Sequence, residues 1–289
     1  MTENQKKQIT AEIRRLIKMT SDETLKTNSA AKIAKRCGVS DGTISQMINE
    51  NWDHIADKMW RKVKIKLKID LDWNIAPTAN MLCIEKTLKR AQARGESFAI
   101  ADKAGFGKSE TYKYYAKNYP EVVYVECKTY WNTKTYIKGL CNACGLSDLG
   151  TTDELVERVV NYLANFKKPL VIIDQVDKLK DGAWDFFIDF FNDLGENCAF
   201  CLSGVPAFEK RLLRGVNRDR SGYFEVWSRI GSKFFKLKDI TLDDVAEICK
   251  ANGLTDEYEI RTIYAKCNND FRRVRKDIKN YYDRLKNAS

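Results

Sequence analysis

Apolar positions recur at two different periods along this chain, and the change of period divides it. Over the first 60 residues they fall three and four apart, and Ile9, Ile13, Leu16 and Ile17 make one stripe of the kind a helix lays against a core. Two shorter segments follow, 29–37 and 41–49, on either side of Gly38-Val39-Ser40. They predict a helix, a tight turn and a second helix capped by Ser40 or Asp41. Val39, Ile44 and Ile48 fall on the inner face of that pair, leaving Asp41, Gly42, Thr43, Ser45, Gln46 and Asn49 outward. Over 61–70 lysines alternate with aliphatic residues, which predicts a strand with one wet and one dry face. A helix is expected over 78–94, with Leu82, Leu88 and Ala91 inside and Gly95 ending it.

Beyond Gly95 the pattern becomes short apolar runs separated by amphipathic stretches. The runs are 98–101, 122–127, 169–174, 197–203 and 233–238. The third is almost continuously apolar, the mark of a strand buried on both faces. Helices are expected between the runs, at 110–118, around 135–140 and over 153–166. Strands alternating with helices predict an α/β fold, a parallel sheet flanked by helices. After Lys238 the segments 241–251, 255–268 and 270–286 all carry helical spacing. The expected organisation is a helical module at 1–70, a sheet-bearing core at 71–238 and a small helical subdomain at 239–289.

Candidate chemistry gathers at the ends of the predicted strands. After the first comes Asp102-Lys-Ala-Gly-Phe-Gly-Lys-Ser109, and strand, glycine-bearing loop, Lys-Ser and helix is the order of a phosphate-binding loop. The backbone of Ala104, Gly105, Phe106, Gly107, Lys108, Ser109 and Glu110 would wrap the phosphates of ATP at a helix N-terminus. Lys108 would add a point charge, and the Ser109 hydroxyl would ligate Mg2+. The loop departs from the usual pattern at its first position, where Asp102 stands in place of glycine. Asp174 ends the buried strand, where a carboxylate would share the magnesium ion with Ser109 and complete an NTPase core. A further strand is expected between these two motif strands in the sheet. Ser203, at the tip of the next strand, is the candidate sensor of the γ-phosphate.

Charge and cysteine content add partners and remove a metal. Lys and Arg number 50 against 40 Asp and Glu, a net charge of +10, which favours a polyanionic partner, nucleic acid or an anionic membrane surface. No apolar run approaches the length of a membrane span and the first residues are polar, so a cytoplasmic protein with no membrane partner is expected. The helix pair around Gly38 is similar to the helix-turn-helix of phage repressors, and its outward Thr43 and Gln46 suit DNA contact. The nine cysteines include the pairs Cys141/Cys144 and Cys198/Cys201. In a strand the second pair turns its sulfurs to opposite faces, and we read all nine as reduced thiols rather than a zinc site.

These motifs, with Arg229 before the fifth strand and Asn269-Asp-Phe-Arg272 opening the last helix, lie in the order of the AAA+ ATPases. The chain resembles the transposition target-selection branch of that family, the group of the phage Mu B protein and the insertion-sequence ATPase subunits. The resemblance implies an AAA+ P-loop core with an N-terminal helix-turn-helix domain and a compact helical lid. It implies a homo-oligomer that coats double-stranded DNA as a helical filament with little sequence preference, and a transposase as partner. The setting would be a bacterial cytoplasm, with the protein encoded by a phage or mobile element. Arg229 would reach the neighbouring subunit's nucleotide and Arg272 the phosphates of its own. Lys128, Thr129, Tyr130 and Lys134, after the second strand, would hold the DNA backbone, with Trp131 interleaved.

Members of the family carry Glu after the strand-ending Asp, to orient the attacking water. Here Gln175 stands there, and an amide cannot take a proton, so ATP is expected to bind and its hydrolysis to slow. Gln175 reads either as the mark of a poor hydrolase or as an introduced Glu-to-Gln change, and the intact remainder of the site favours the second. Two other functions fit the same motifs. One is an AAA+ helicase loader or initiator, acting on single strands. The other is a repressor-like regulator that binds one operator through the 43–49 helix.

Overall fold

The computed structural model describes residues 1–18, 29–67, 69 and 73–288. The chain opens with α1 (Glu3–Lys18), α2 (Ala30–Cys37), α3 (Asp41–Ile48) and α4 (Asp57–Lys66). The side chains of Ser29 and Ser40 cap α2 and α3, accepting from the amides of Lys32 and Thr43. Gly38 makes the turn between them at φ 64°, a conformation that costs glycine nothing. Ile9, Ile13, Ile33, Ile44 and Met47 are fully buried in one small core. Met47, rather than the half-buried Ile48, carries the inner face of α3.

The strand predicted over 61–70 is corrected by α4, although Lys68 and Asp70 lie outside the described residues. Trp60 and Val63 are both 0% exposed, one helical turn apart, and they set the buried face. Ile65, which the alternation placed on the dry side of a strand, is 71% exposed. Lys64 and Lys66 fall in the last turn of the helix, where cations complement its negative end.

α5 (Ala79–Arg94) starts at a Thr78 cap and ends on Gly95 at φ 71°. A Cβ on Gly95 would lie 1.7 Å from the carbonyl oxygen of Glu196, so the helix stops where the chain crosses another backbone. Its buried face is Met81, Ile84, Leu88 and Ala91. Leu82, expected inside, is 54% exposed because it faces away from the line of Ile84, Leu88 and Ala91, about 150° round the helix.

The sheet has five strands, β1 (Phe98–Ala101), β2 (Val122–Glu126), β3 (Leu170–Asp174), β4 (Ala199–Gly204) and β5 (Phe234–Phe235), in the order β2-β3-β4-β1-β5. Every pairing is parallel. β4 lies between β1 and β3, so the two motif strands are one strand apart, as their order predicts. β5 is two residues long, shorter than the apolar run suggested. The helices packed around the sheet are α6 (Lys108–Asn118), α7 (Thr133–Ala143), α8 (Thr152–Ala164), α9 (Asp185–Leu194), α10 (Pro206–Val216) and α11 (Tyr223–Arg229).

Strand alternation divides the core between two faces. Leu170 and Ile172 pack with Ile100, Tyr112 and Tyr115 on one face. Val171 and Ile173 pack with Ile137, Phe187 and Phe200 on the other. Cys198 joins the second face and Cys201 the first, as their spacing predicts.

Three helices close the chain, α12 (Leu242–Ala251), α13 (Glu257–Cys267) and α14 (Phe271–Ala288). They form their own core around Val245, Ile248, Ile263, Val274 and Ile278. At the other end of the chain, α1 meets the last residues of α6. Lys117 pairs with Glu12 at 2.7 Å and Arg15 donates to Asn118 at 3.2 Å.

Candidate functional site

The loop after β1 is built from its first residue. The amide of Asp102 reaches the Gly204 carbonyl at 3.3 Å, extending the β1–β4 ladder by one rung. Its carboxylate accepts from the Lys103 amide at 2.8 Å and from the Leu237 amide at 2.9 Å. The residue that replaces the motif's glycine therefore ties the loop to the chain leaving β5. Gly105 and Gly107 follow at φ 93° and 86°, conformations side chains rarely tolerate. Gly107 begins α6 with no side-chain cap, which leaves first-turn amides to meet an anion.

Lys108 is only 8% exposed, and its amine donates to the carbonyls of Asp102 at 2.6 Å and Lys103 at 2.7 Å. Burial pushes its pKa below the usual lysine value, against the opposing pull of Asp102, Asp174 and Asp177. A charge held on two neutral carbonyls in a half-dry site is poised to take a phosphate oxygen instead.

Asp174, 1% exposed at the tip of β3, is the centre of the second cluster. Its Oδ2 accepts from the Ser109 hydroxyl at 2.6 Å and from the Tyr124 hydroxyl at 3.1 Å, and Oδ1 from the Gln175 amide at 2.9 Å. Burial beside Asp174 and Glu126 pushes the Tyr124 phenol well up, so it remains a donor. A carboxylate and a hydroxyl converging at this distance are the hard oxygen ligands Mg2+ takes, so the donor set fits that ion. Ser203 is fully buried at the end of β4, with its hydroxyl beside that of Tyr112.

Gln175 sits in the left-handed region at φ 58°. Its Nε2 donates to Glu126 at 3.1 Å, its Oε1 accepts from Lys178, and Glu126 pairs with Lys128 at 2.9 Å. Sequence reading passed over Tyr124, Glu126 and Lys178. The signal was available in β2: Tyr124 and Glu126 alternate on the strand that pairs with β3, and Glu126 stands in register with Asp174.

The C-terminal helices begin on the loop. The Phe271 amide donates to the Gly105 carbonyl at 3.0 Å, and a Cβ on Gly105 would lie 2.3 Å from Asp270 Oδ1. Phe106, 2% exposed, buries its ring in the C-terminal core, so only its backbone faces the loop. Arg272 pairs with Asp270 at 2.7 Å while 68% of its side chain stays open. That pairing holds the Asp270 carboxyl below its usual range. Arg272 is close enough to Lys108 to help lower the lysine's pKa.

Other predicted residues lie apart from this cluster. Arg229 ends α11, donates to Asn192 at 2.6 Å and lies over the Phe191 ring at 5.1 Å. Ala104 is exposed, and Glu110 turns outward to Lys113 at 2.6 Å. After β2, Thr129 and Lys134 are exposed and Tyr130 is 80% exposed, whereas Lys128 is tied to Glu126. Trp131 does not join them: its ring folds inward, against Gly139 of α7. In α3, Gln46 is exposed and the Thr43 hydroxyl lies 2.8 Å from that of Ser40.

Residues 96–212, from just before β1 into α10, match the AAA domain family. That segment, which holds the loop, β3 and β4, carries the likeness to an AAA-type ATPase domain. The fold of the chain is similar to that of the Orc1 protein of Aeropyrum pernix, solved in complex with DNA. The two are 15% identical, with a TM-score of 0.50 over 70% of this chain and 58% of that one. The present chain thus covers little more than half of the Orc1 chain, and at that identity the likeness is one of fold. No curated protein sequence matches the chain. Among the described residues no helix is long and apolar enough to cross a membrane.

Proposed function

We propose that the chain is an ATP-switched DNA-binding protein of the AAA+ initiator or helicase-loader kind. One observation carries the nucleotide half of this reading: the 2.6 Å contact between Ser109 and Asp174 beside a glycine loop with a buried lysine. Loop amides and the start of α6 bind the phosphates, and Lys108 exchanges two carbonyls for a phosphate oxygen. Ser109 and Asp174 hold Mg2+, which neutralises phosphate charge when bound. Arg272 trades Asp270 for phosphate, and because Phe106 and Phe271 join loop to lid, the C-terminal helices respond to that exchange. The DNA half is supported by the net charge of +10 and by the fold shared with a protein solved on DNA.

The test is a nucleotide titration followed by competition between single- and double-stranded DNA. ATP should bind the native chain and not Lys108→Ala, and DNA affinity should rise with ATP and fall steeply with salt. Equal DNA binding by both proteins, with and without ATP, would sink the switch. A second reading, transposition target selection by a filament on duplex DNA, draws on exposed Tyr130 beside Lys128 and Lys134. A loop of that kind tracks a phosphate backbone without reading bases. Electron microscopy of the protein with ATP and plain duplex decides between them, since only this reading expects continuous filaments.

A further inference from the structure

Resting on the nucleotide reading above, one chemical question remains at this site. Hydrolysis of ATP needs an acceptor for a proton of the attacking water, and the Gln175 amide is not one. The carboxylates around the loop differ sharply in what they are already doing. Both oxygens of Asp174 accept hydrogen bonds, and Oδ2 is shared with the Ser109 hydroxyl of the metal pair. Asp177 accepts from the Val205 amide at 3.2 Å and lies against Gly204, below the end of β4. Asp270 belongs to the lid and is gripped by Arg272. Glu110 points away from the loop, to Lys113.

Glu126 is paired as well, with Lys128 at 2.9 Å, but its place in the sheet differs. It ends β2, stands in register with Asp174 across the ladder, and keeps 21% of its side chain open. Its Oε1 is 3.1 Å from Gln175 Nε2. A carboxylate therefore lies one hydrogen bond from the side chain in the position where this class of site expects its base.

The orientation of Gln175 fits that arrangement. An amide has one accepting and one donating end. Lys178 donates to Oε1, so Nε2 must turn to Glu126. Gln175 also has a left-handed backbone at φ 58°, a conformation side chains rarely adopt. A glutamate at position 175 would instead set two carboxylates against each other, and like charges in contact oppose double ionisation. A glutamine avoids that repulsion and donates to the neighbouring carboxylate.

We propose that Glu126 is the proton acceptor for ATP hydrolysis at this site, and that Gln175 is the positioning residue that orients its carboxylate. The water oxygen forms a bond to the γ-phosphorus. The bond from that phosphorus to the bridging oxygen breaks, and its electron pair leaves on ADP. One water proton passes to Glu126, which returns it to solvent or phosphate as product departs.

The experiment uses the full chain with Mg2+, ATP and DNA, and reads phosphate release, binding of a fluorescent ATP analogue, and the identity of the nucleotide extracted from the protein. Glu126→Gln should lose about 100-fold in turnover and bind the analogue within about twofold of the native affinity. It should also yield ATP on extraction. The amide oxygen at 126 still accepts from Lys128 and Gln175, so a purely structural role would survive this change. Gln175→Glu should slow turnover, and adding Glu126→Gln to it should recover part of the loss by moving the carboxylate to the other strand. Unchanged turnover in Glu126→Gln, a tenfold gain in Gln175→Glu, or a native chain that binds ATP without hydrolysing it would each overturn the assignment. Failure of the native chain to bind the analogue is a different result, and it removes the nucleotide reading together with this inference.

Discussion

Restoring the glycine that the phosphate-loop pattern asks for should weaken this protein. Asp102→Gly removes a carboxylate that accepts two backbone hydrogen bonds, from Lys103 at 2.8 Å and from Leu237 at 2.9 Å. Hydrogen bonds to a charged group contribute about 1.5–3 kcal/mol each. Asp102 is half-buried, so the lower end applies, about 3 kcal/mol for the pair. Glycine adds about 0.5–1 kcal/mol of unfolded-state freedom, and the Leu237 amide, part-buried, loses its partner. The expected cost is about 3–4 kcal/mol, or about 10 °C in melting temperature for a core of this size. Thermal and urea unfolding without nucleotide measure it. Asp102→Asn, which keeps one accepting oxygen, should lose about half as much. Binding of Mg-ATP should stay within about threefold, because the amides from Gly105 onward are untouched. A glycine variant as stable as the native chain would refute the argument and return Asp102 to the status of a tolerated departure.

Other expectations follow from features of the same kind. Phe106→Ala empties a ring site in the C-terminal core and should cost about 3–5 kcal/mol, read as early proteolysis of the C-terminal helices; an unaltered digestion pattern would contradict the placement of the ring. Gly139→Ala puts a Cβ 2.5 Å from the Trp131 ring, while alanine favours the helix by about 0.8–1.0 kcal/mol. Stability should change little, the 127–132 loop should move, and duplex DNA affinity should fall; unchanged affinity would separate that loop from DNA. Among the nine cysteines only Cys83 is exposed, and burial pushes the thiols of Cys127, Cys144, Cys198 and Cys201 well up and that of Cys249 to about 11. Iodoacetamide at pH 8 should therefore add one group to the folded protein and nine to the unfolded one, by intact mass; several adducts on the folded chain would contradict the burial.

What was legible in the sequence was whatever a local pattern encodes. β3 announced itself because a strand buried on both faces is apolar throughout, and α5 because Thr78 and Gly95 mark its ends. The loop from Gly105 to Ser109 was legible for the same reason, since glycine, lysine and serine at that spacing have few other uses. The 61–66 segment misled because lysines on the wet face of a helix can imitate alternation, and only Trp60 and Val63 together reveal the true period. Leu82 misled because a helix's buried line depends on what packs against it. The purpose of Asp102 was not legible at all, for its partner Leu237 lies 135 residues away. Glu126 and Tyr124 were hidden likewise, with partners 49 and 50 residues away: their importance depends on β2 being the neighbour of β3. Phe106 sat inside a readable motif and yet serves another core.

α6 joins two parts of the molecule that chemistry would otherwise keep separate. Its first residues are Lys108 and Ser109, and its last turn carries Lys117 and Asn118, which hold Glu12 and Arg15 of α1. Eleven residues make a rod about 16 Å long, stiffened along its length by Tyr112 and Tyr115 buried against the sheet. On the nucleotide reading, a phosphate drawn onto one end would be felt at the other through this short, packed body. Among the described residues, Lys117–Glu12 and Arg15–Asn118 are the side-chain contacts that moor the N-terminal helices to that far end. On the same reading, loop occupancy and the attitude of the N-terminal helices would be linked through this single helix.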